Sequence, residues 1–218
     1  MAGIKSAAAT LKTGDTFFIT YAGHGSQTPD PNGDEDEGMD ETWCLYDRML
    51  VDDELAGLWA SFKAGVRIIM LSDSCHSGSV SRATGRGAQA MVQPVKGKRY
   101  RFFPTGKALR VYRAHSDAYD AIQRGTKAGR DLKIKASVLL ISGCQDNQLS
   151  GDGDVNGLFT ETLLDAWAGG AFKGDYRRFR DKIASWMPRD QQPRYSLIGA
   201  ANPAFEREQP FTAKPAGK

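Results

Sequence analysis

The chain has 218 residues, 40% of them hydrophobic and 25% charged, with 24 glycines, 9 prolines and a formal net charge of +3. This composition is typical of a globular domain and excludes collagen-like and wholly disordered chains. Its apolar runs are far shorter than the ~18 residues that a membrane-spanning helix needs, so we expect no membrane partner. The three cysteines are too few for a disulfide framework and predict free thiols in a reducing, cytoplasmic setting.

Apolar patterning predicts helices and strands that alternate along the chain. Residues 16–21 (TFFITY), 66–71 and 136–142 form runs typical of buried strands, and residues 195–198 form a last short strand. Helices are expected at residues 4–11, 52–65, 157–167 and 176–187, with an acidic loop at 26–41. Strands separated by helices predict an α/β fold with a mainly parallel sheet flanked by helices.

Charge is distributed unevenly along the chain. Residues 81–135 contain 14 Lys or Arg against 3 Asp or Glu, whereas residues 30–53 are densely acidic. We call residues 80–135 the basic connector. Its interleaved aromatic residues are either stacking surfaces for a nucleic acid or the core of a small helical insertion, and we favour the insertion. These residues are Tyr100, Phe102, Phe103, Tyr112 and Tyr119.

Reactive side chains follow two of the predicted strands. The first strand runs into YAGHGSQ, which contains His24, and the second into SDSCHSGS, which contains Cys75. In open parallel sheets, binding and chemistry collect at the carboxyl ends of the strands. A neutral imidazole can take the proton of a thiol, and the thiolate is the competent nucleophile. Either residue alone is more often structural, but the two motifs together predict a catalytic dyad.

The stretches YAGHGSQ, GDEDEGMDET, DDEL and SDSCHSGS together resemble those of a caspase-like cysteine peptidase of the metacaspase type. The later stretches ISGCQDNQLS and GLFTETLL resemble the strand and helix that follow in that family. The separation of His24 from Cys75, His first, agrees with the caspase arrangement. The resemblance implies a caspase-like domain over residues 1–203, interrupted by the basic connector, and a tail over residues 204–218.

The resemblance also implies how such a domain works. Cys75 attacks the scissile carbonyl, His24 acts as base and then as acid, and the backbone N–H groups of Gly25 and Cys75 hold the oxyanion. Asp73 and Ala22 line the substrate pocket, where a carboxylate favours Arg or Lys at the cleaved position. We therefore expect a monomeric endopeptidase that acts on proteins or peptides, with no nucleic-acid partner. Such an enzyme could also cut its own basic connector.

Calcium is the cofactor that the resemblance implies, as an activator rather than a participant in the chemistry. The matching ligands are Asp40, Asp52 and Asp53, and hard oxygen ligands of this kind suit Ca²⁺. Arg82 stands where the family has a fourth aspartate, which departs from the calcium-binding pattern. Alternatively, Asp52 caps the helix that follows it. Both readings stay open at this point.

The family fold normally opens with strands that precede the first strand predicted here. An N-terminally incomplete domain is therefore expected, in which the strand at 16–21 exposes an apolar edge and part of the substrate pocket is absent. One alternative is a catalytically impaired caspase-like remnant that acts as a binding or regulatory module. Another is a polyanion-binding domain that depends on the basic connector. A serine hydrolase is disfavoured because no Gly-x-Ser-x-Gly elbow surrounds Ser74, Ser77 or Ser79.

Overall fold

The structure is a computed structural model that describes residues 1–30, 38–74, 99–101, 103–125, 132–144, 151–152 and 157–212. Cys75, Arg82 and Phe102 lie outside the described residues, and Tyr100 is described by its backbone alone. Helices α1 to α7 span Ala2–Thr10, Asp52–Ala60, Thr105–Ala114, Ser116–Gly125, Leu158–Trp167, Tyr176–Trp186 and Pro203–Glu206. Strands β1 to β9 span Thr16–Ala22, Gly25–Pro29, Met39–Cys44, Met49–Val51, Arg67–Asp73, Arg99–Tyr100, Ser137–Ser142, Gly151–Asp152 and Arg194–Gly199.

A four-stranded sheet in the order β1-β5-β7-β9 lies at the centre of the fold. The first three strands are parallel and β9 is antiparallel to β7, so the predicted mainly parallel α/β sheet is confirmed. The register pairs Ala22 with Asp73 and Ser72 with Ser142, which brings the carboxyl ends of β1, β5 and β7 to one edge. Within the described residues β1 is an outer strand, and its Phe18 is 50% exposed.

Helices cover both faces of this sheet. On one face, Ile68 and Val138 pack in a cluster with Trp59 and Phe62, where α1 and α2 lie. On the other face, side chains of β5 and β7 pack against α5 and α6, including Phe179. Every residue of β5 is buried, because successive side chains point to opposite faces and both faces are covered. This explains why β5 and β7 read as continuous apolar runs in the sequence.

A second, antiparallel sheet in the order β2-β3-β4 replaces part of the acidic loop predicted at 26–41. The loop prediction is wrong at its two ends, where Ser26 pairs with Thr42 and Thr28 with Asp40. Ser26, Gln27 and Thr28 are all buried although they are polar. Strands with polar side chains on their buried faces carry no apolar alternation, so the sequence pattern could not indicate this hairpin.

The basic connector contributes the paired helices α3 and α4, which lie against the second sheet. Ala108 and Tyr119 are buried against Met49, and Phe103 and Tyr112 pack around them. The Met49 backbone N–H donates a hydrogen bond to the Tyr119 hydroxyl oxygen at 3.1 Å. For Phe103, Tyr112 and Tyr119, the interpretation as the core of a helical insertion is therefore confirmed.

The segment that follows residue 203 packs onto the central sheet as far as residue 212. Phe205 is 3% exposed, and Phe211 lies within 6.0 Å of the Tyr176 ring, centroid to centroid. Glu208 pairs with Arg67 of β5, with N–O distances of 3.0 and 2.8 Å. The expected C-terminal tail thus contributes aromatic side chains to the core. No helix within the described ranges is both long enough and apolar enough to cross a membrane.

Candidate active site

The carboxyl ends of β1 and β5 place the two reactive motifs side by side. His24 follows β1 by two residues, and Ser74 follows β5 directly. The Gly23 N–H donates to the Asp73 carbonyl oxygen at 3.2 Å, which continues the pairing beyond the last strand residues. Cys75 is bonded to Ser74 but lies outside the described residues. The described geometry thus locates His24 and Ser74, the residue on the amino side of the predicted nucleophile Cys75.

The backbone at His24 is fixed by the side chain of Tyr21. The Tyr21 hydroxyl lies 2.8 Å from the His24 carbonyl oxygen and 3.0 Å from that of Cys44, and the Cys44 N–H donates to the His24 carbonyl at 2.9 Å. The Tyr21 ring stacks on Trp43 with centroids 4.3 Å apart. Burial raises the pKa of Tyr21 well above its usual range, so the hydroxyl remains a donor. His24 itself is exposed, so its side chain is accessible from outside the protein.

Glycine is required at position 23 because of this arrangement. A Cβ atom built on Gly23 would lie 2.6 Å from the Tyr21 hydroxyl oxygen, closer than real Cβ contacts come. A larger residue would therefore displace the group that orients the His24 backbone.

The two other cysteines do not suit a nucleophile. Burial raises the pKa of the Cys44 thiol to about 11, with a smaller opposing effect of the Thr42 hydrogen bond. Cys144 is fully buried, and its Sγ lies 3.4 Å from the Ser74 carbonyl oxygen. A nucleophilic thiol must be both ionisable near neutral pH and accessible, and neither cysteine meets both conditions. Cys75 is the remaining candidate.

Asp73 lies in a narrow polar pocket at the start of α5. Its side chain is 3% exposed, and its Oδ2 accepts a hydrogen bond from the Thr160 hydroxyl. The guanidinium of Arg101 lies 3.5 Å from Oδ2, and its Nη1 also donates to the Asp73 carbonyl oxygen at 3.2 Å. A Cβ atom on Gly157 would lie 2.5 Å from Oδ2, so the pocket has no room for a larger residue there. Ala22 is exposed and lies opposite Asp73 in the register.

Gly25, the expected oxyanion donor, is buried and hydrogen-bonded to the basic connector. Its N–H donates to the Arg101 carbonyl oxygen at 3.2 Å, and its own carbonyl accepts from the Phe103 N–H at 3.0 Å. The second expected donor, the Cys75 N–H, lies outside the described residues. Asp73 and Gly25 are thus brought together around Arg101.

The acidic residues expected to bind calcium lie close enough to one another to interact electrostatically. Asp40 is fully buried and Asp53 is 4% exposed. The pKa of Asp52 is raised to about 8, mainly by burial and then by the charges of Asp40, Glu41 and Asp53. Gln123 of α4, itself fully buried, donates through Nε2 to Asp40 Oδ2 and to the Pro29 carbonyl oxygen at 2.9 Å. We call Asp40, Asp52 and Asp53 the carboxylate cluster.

The carboxylate cluster fits calcium in its chemistry but not in its arrangement. Neighbouring carboxylates whose charges raise the pKa of Asp52 are a donor set that a divalent cation would stabilise. In the part of the chain that the structure describes, however, no group of three or more His, Cys, Asp or Glu is arranged to hold a metal ion. The capping alternative is wrong as stated, because Asp52 is the first residue of α2 and its Oδ1 accepts from the N–H of the next residue, Asp53, at 3.0 Å. The N-cap position itself belongs to Val51.

Comparisons with known proteins agree with this fold and these motifs. The family model of the metacaspase, peptidase C14 domain matches residues 1–83. Metacaspase-1 of Coccidioides immitis is 32% identical over 178 residues, which cover 71% of this chain and 37% of that protein. Metacaspase-1 of Schizosaccharomyces pombe is 31% identical over 170 residues, which cover 68% of this chain and 40% of that protein.

A solved structure matches nearly the whole chain. The crystal structure of protein GSU0716 from Geobacter sulfurreducens has a TM-score of 0.86 and 48% identity, and the match covers 98% of this chain and 77% of that one. Fold and site motifs together define a caspase-like α/β protein. Within that class, the chain belongs to the metacaspase type. The chain spans less than half the length of the two fungal metacaspases, 37% of one and 40% of the other.

Several residues of the site carry no signal in the sequence that would assign them. Arg101 is one of 14 basic residues in the connector region, and nothing in the local pattern separates it from the others. Gln123 and Thr160 lie on helices, but the apolar periodicity that indicates a helix does not indicate which polar group these side chains contact. The contact of Tyr21 with the His24 carbonyl is likewise known only from the structure.

Proposed function

We propose that the protein is a cysteine endopeptidase that hydrolyses peptide bonds after Arg or Lys. Cys75 is the nucleophile and His24 the general base. The observation that carries this proposal is an exposed His24, held by Tyr21 at the edge of the sheet, beside the strand that leads into Cys75 and next to the buried Asp73. The metacaspase relatives support the same class of reaction.

The proposed reaction follows from the roles of these groups. His24 takes the proton of the Cys75 thiol, and the thiolate attacks the carbonyl carbon of the substrate. The N–H groups of Gly25 and Cys75 stabilise the oxyanion, each contributing roughly 3 kcal/mol in sites of this kind. His24 then gives its proton to the leaving amine as the C–N bond breaks. Water, deprotonated by His24, hydrolyses the thioester and releases the carboxylic acid.

Specificity for a basic residue is supported by the pocket of Asp73. A carboxylate that is almost fully buried makes its strongest hydrogen bonds to a cationic donor. The pocket already accommodates a guanidinium, that of Arg101, at salt-bridge distance. We expect an arginine or lysine of a protein or peptide substrate to bind in the same way.

Hydrolysis of paired fluorogenic peptides tests this function. The peptides end in Arg or in Asp and are otherwise identical, and the enzymes are wild type, Cys75→Ala and Asp73→Asn. We expect cleavage of the Arg peptide alone, no cleavage by Cys75→Ala, and a kcat/KM lower by about 10- to 100-fold for Asp73→Asn, since hydrogen bonds to charged groups contribute ~1.5–3 kcal/mol. Cleavage by Cys75→Ala, or equal cleavage of both peptides, would contradict the proposal.

We further propose that Ca²⁺ binds at the carboxylate cluster after a local rearrangement that brings its oxygens together. Thermal unfolding with and without calcium at about 5 mM, a concentration above the Kd of weak sites, tests this directly. The midpoint should rise in wild type, and the rise should be absent in Asp40→Asn and Asp53→Asn. Asp47→Asn is the matched control, because Asp47 is exposed and lies outside the cluster. An unchanged midpoint in wild type would count against calcium.

A further inference from the structure

Arg101 and Phe103 of the basic connector both form backbone hydrogen bonds with Gly25, the first residue of β2. The Gly25 N–H donates to the Arg101 carbonyl oxygen at 3.2 Å, and the Phe103 N–H donates to the Gly25 carbonyl oxygen at 3.0 Å. The Ser26 hydroxyl adds a bond to the Phe103 carbonyl oxygen at 3.1 Å. The connector is therefore bound to β2 at this point in the way that an extended peptide is bound when it adds a strand to the edge of a sheet.

The side chain of Arg101 is anchored at a second point, the pocket of Asp73. Its guanidinium is 3.5 Å from the carboxylate and 3.2 Å from the carbonyl oxygen of Asp73. The Arg101 side chain is 13% exposed, and a Cβ on Gly157 would lie 2.9 Å from its Nε. The pocket thus encloses the arginine closely.

The two groups that bind Arg101 are the same two groups that, under the proposed function, would bind the arginine of a substrate. The Gly25 N–H is the expected oxyanion donor, and Asp73 is the expected partner of the basic side chain. A single residue of the same chain occupies the two at once, with its carbonyl oxygen on one and its guanidinium on the other. A purely structural ion pair would need only the second contact.

We propose that Arg101 is bound in place of the arginine of an external substrate, so that the connector is a tethered competitor for the active site. The inference rests on the proposed function. Tethered ligands compete at effective concentrations on the order of millimolar. External peptides must displace Arg101 before they bind, which weakens their apparent affinity.

Peptide binding tests the competition without requiring catalysis. The probe is a fluorescent tetrapeptide amide ending in Arg, titrated against Cys75→Ala and against Cys75→Ala with Arg101→Ala. We expect affinity to increase by about tenfold or more when Arg101 is removed, as a competitor at millimolar effective concentration implies. Arg110→Ala is the matched control, because Arg110 is an exposed connector arginine whose Nε donates to the Gly106 carbonyl of its own helix.

Two results would overturn the competition: an unchanged affinity in the Arg101→Ala variant, or the same increase in the Arg110→Ala control. Should Arg101→Ala fail to fold, Arg101→Lys retains the charge but shortens the reach, and an intermediate affinity is expected. In the active enzyme, Arg101→Ala should lower KM for the Arg peptide. Absence of hydrolysis with tighter peptide binding would reject the peptidase function and retain the competition.

Discussion

The position of His24 depends on a contact between its backbone and a side chain three residues earlier. Tyr21 reaches the His24 carbonyl only because Gly23 has no Cβ, and the stacked Trp43 limits where the Tyr21 ring can move. The motif YAGHG is thus explained by packing as well as by chemistry. Its first glycine makes room for a hydroxyl, and its second supplies an N–H to the carbonyl of a bound residue.

Gly23→Ala should therefore impair catalysis more than stability. The added methyl group would meet the far end of the Tyr21 side chain, which can shift, but the shift removes the hydroxyl from the His24 carbonyl. We expect kcat for the Arg peptide to fall by about 10-fold or more, because a small displacement of a catalytic group lowers the rate strongly. The melting midpoint should change little. Gly3→Ala is the control, because a Cβ there meets nothing within 4 Å. Equal loss of activity in both variants would contradict this explanation.

The three cysteines should differ in how fast a thiol reagent labels them. At pH 7.5 we expect iodoacetamide to modify Cys75 rapidly, Cys44 slowly and Cys144 hardly at all. Burial raises the pKa of Cys44 to about 11, so its thiolate fraction, and its labelling rate, should increase about tenfold for each pH unit between 8 and 10. Peptide mapping by mass spectrometry measures each site. Rapid labelling of Cys44 at pH 7.5 would contradict a thiol whose pKa is raised by burial.

At the scale of elements, the sequence predicts those strands and helices whose buried residues are apolar. Strands β5 and β7 are covered on both faces, and their continuous apolar runs located them to within two residues at either end. The β2–β3 hairpin was missed because its buried residues, such as Gln27, are polar. The contact between Arg101 and Asp73 joins distant parts of the chain, and only the placement of the connector across β2 brings it about.

The contact between α4 and the carboxylate cluster is the element-scale feature with the clearest energetic consequence. Gln123 is fully buried and donates to Asp40 and to the Pro29 carbonyl. Gln123→Ala removes both hydrogen bonds of Nε2, one of them to a buried carboxyl group, which costs ~1–3 kcal/mol. We expect a lower midpoint in urea unfolding at unchanged m-value. Arg124→Ala on the same helix, whose side chain is 67% exposed, should change stability by less than ~0.5 kcal/mol.

At the scale of the whole molecule, residues near the end of the described chain complete the core that covers the sheet. Phe211 contacts the rings of Phe18, Trp167 and Phe179 and so links β1 with α5 and α6. Arg67 begins β5 and is 8% exposed, and its Nη1 donates to both carboxylate oxygens of Glu208. A buried guanidinium of this kind depends on its carboxylate partner, since an unpaired buried charge is strongly unfavourable.

Truncation after residue 203 should therefore destabilise the protein, although a domain boundary at that position is what the sequence resemblance implies. Such a chain lacks Phe205, which is 3% exposed, and the Glu208 partner of Arg67. Loss of one buried phenylalanine alone costs ~3–5 kcal/mol, so we expect a melting midpoint lower by about 10 °C or more, or no folded product. A chain that ends at residue 212 keeps every described contact, so its melting midpoint should equal that of the full chain. Equal midpoints for the chains ending at 203 and at 212 would instead place the boundary at 203.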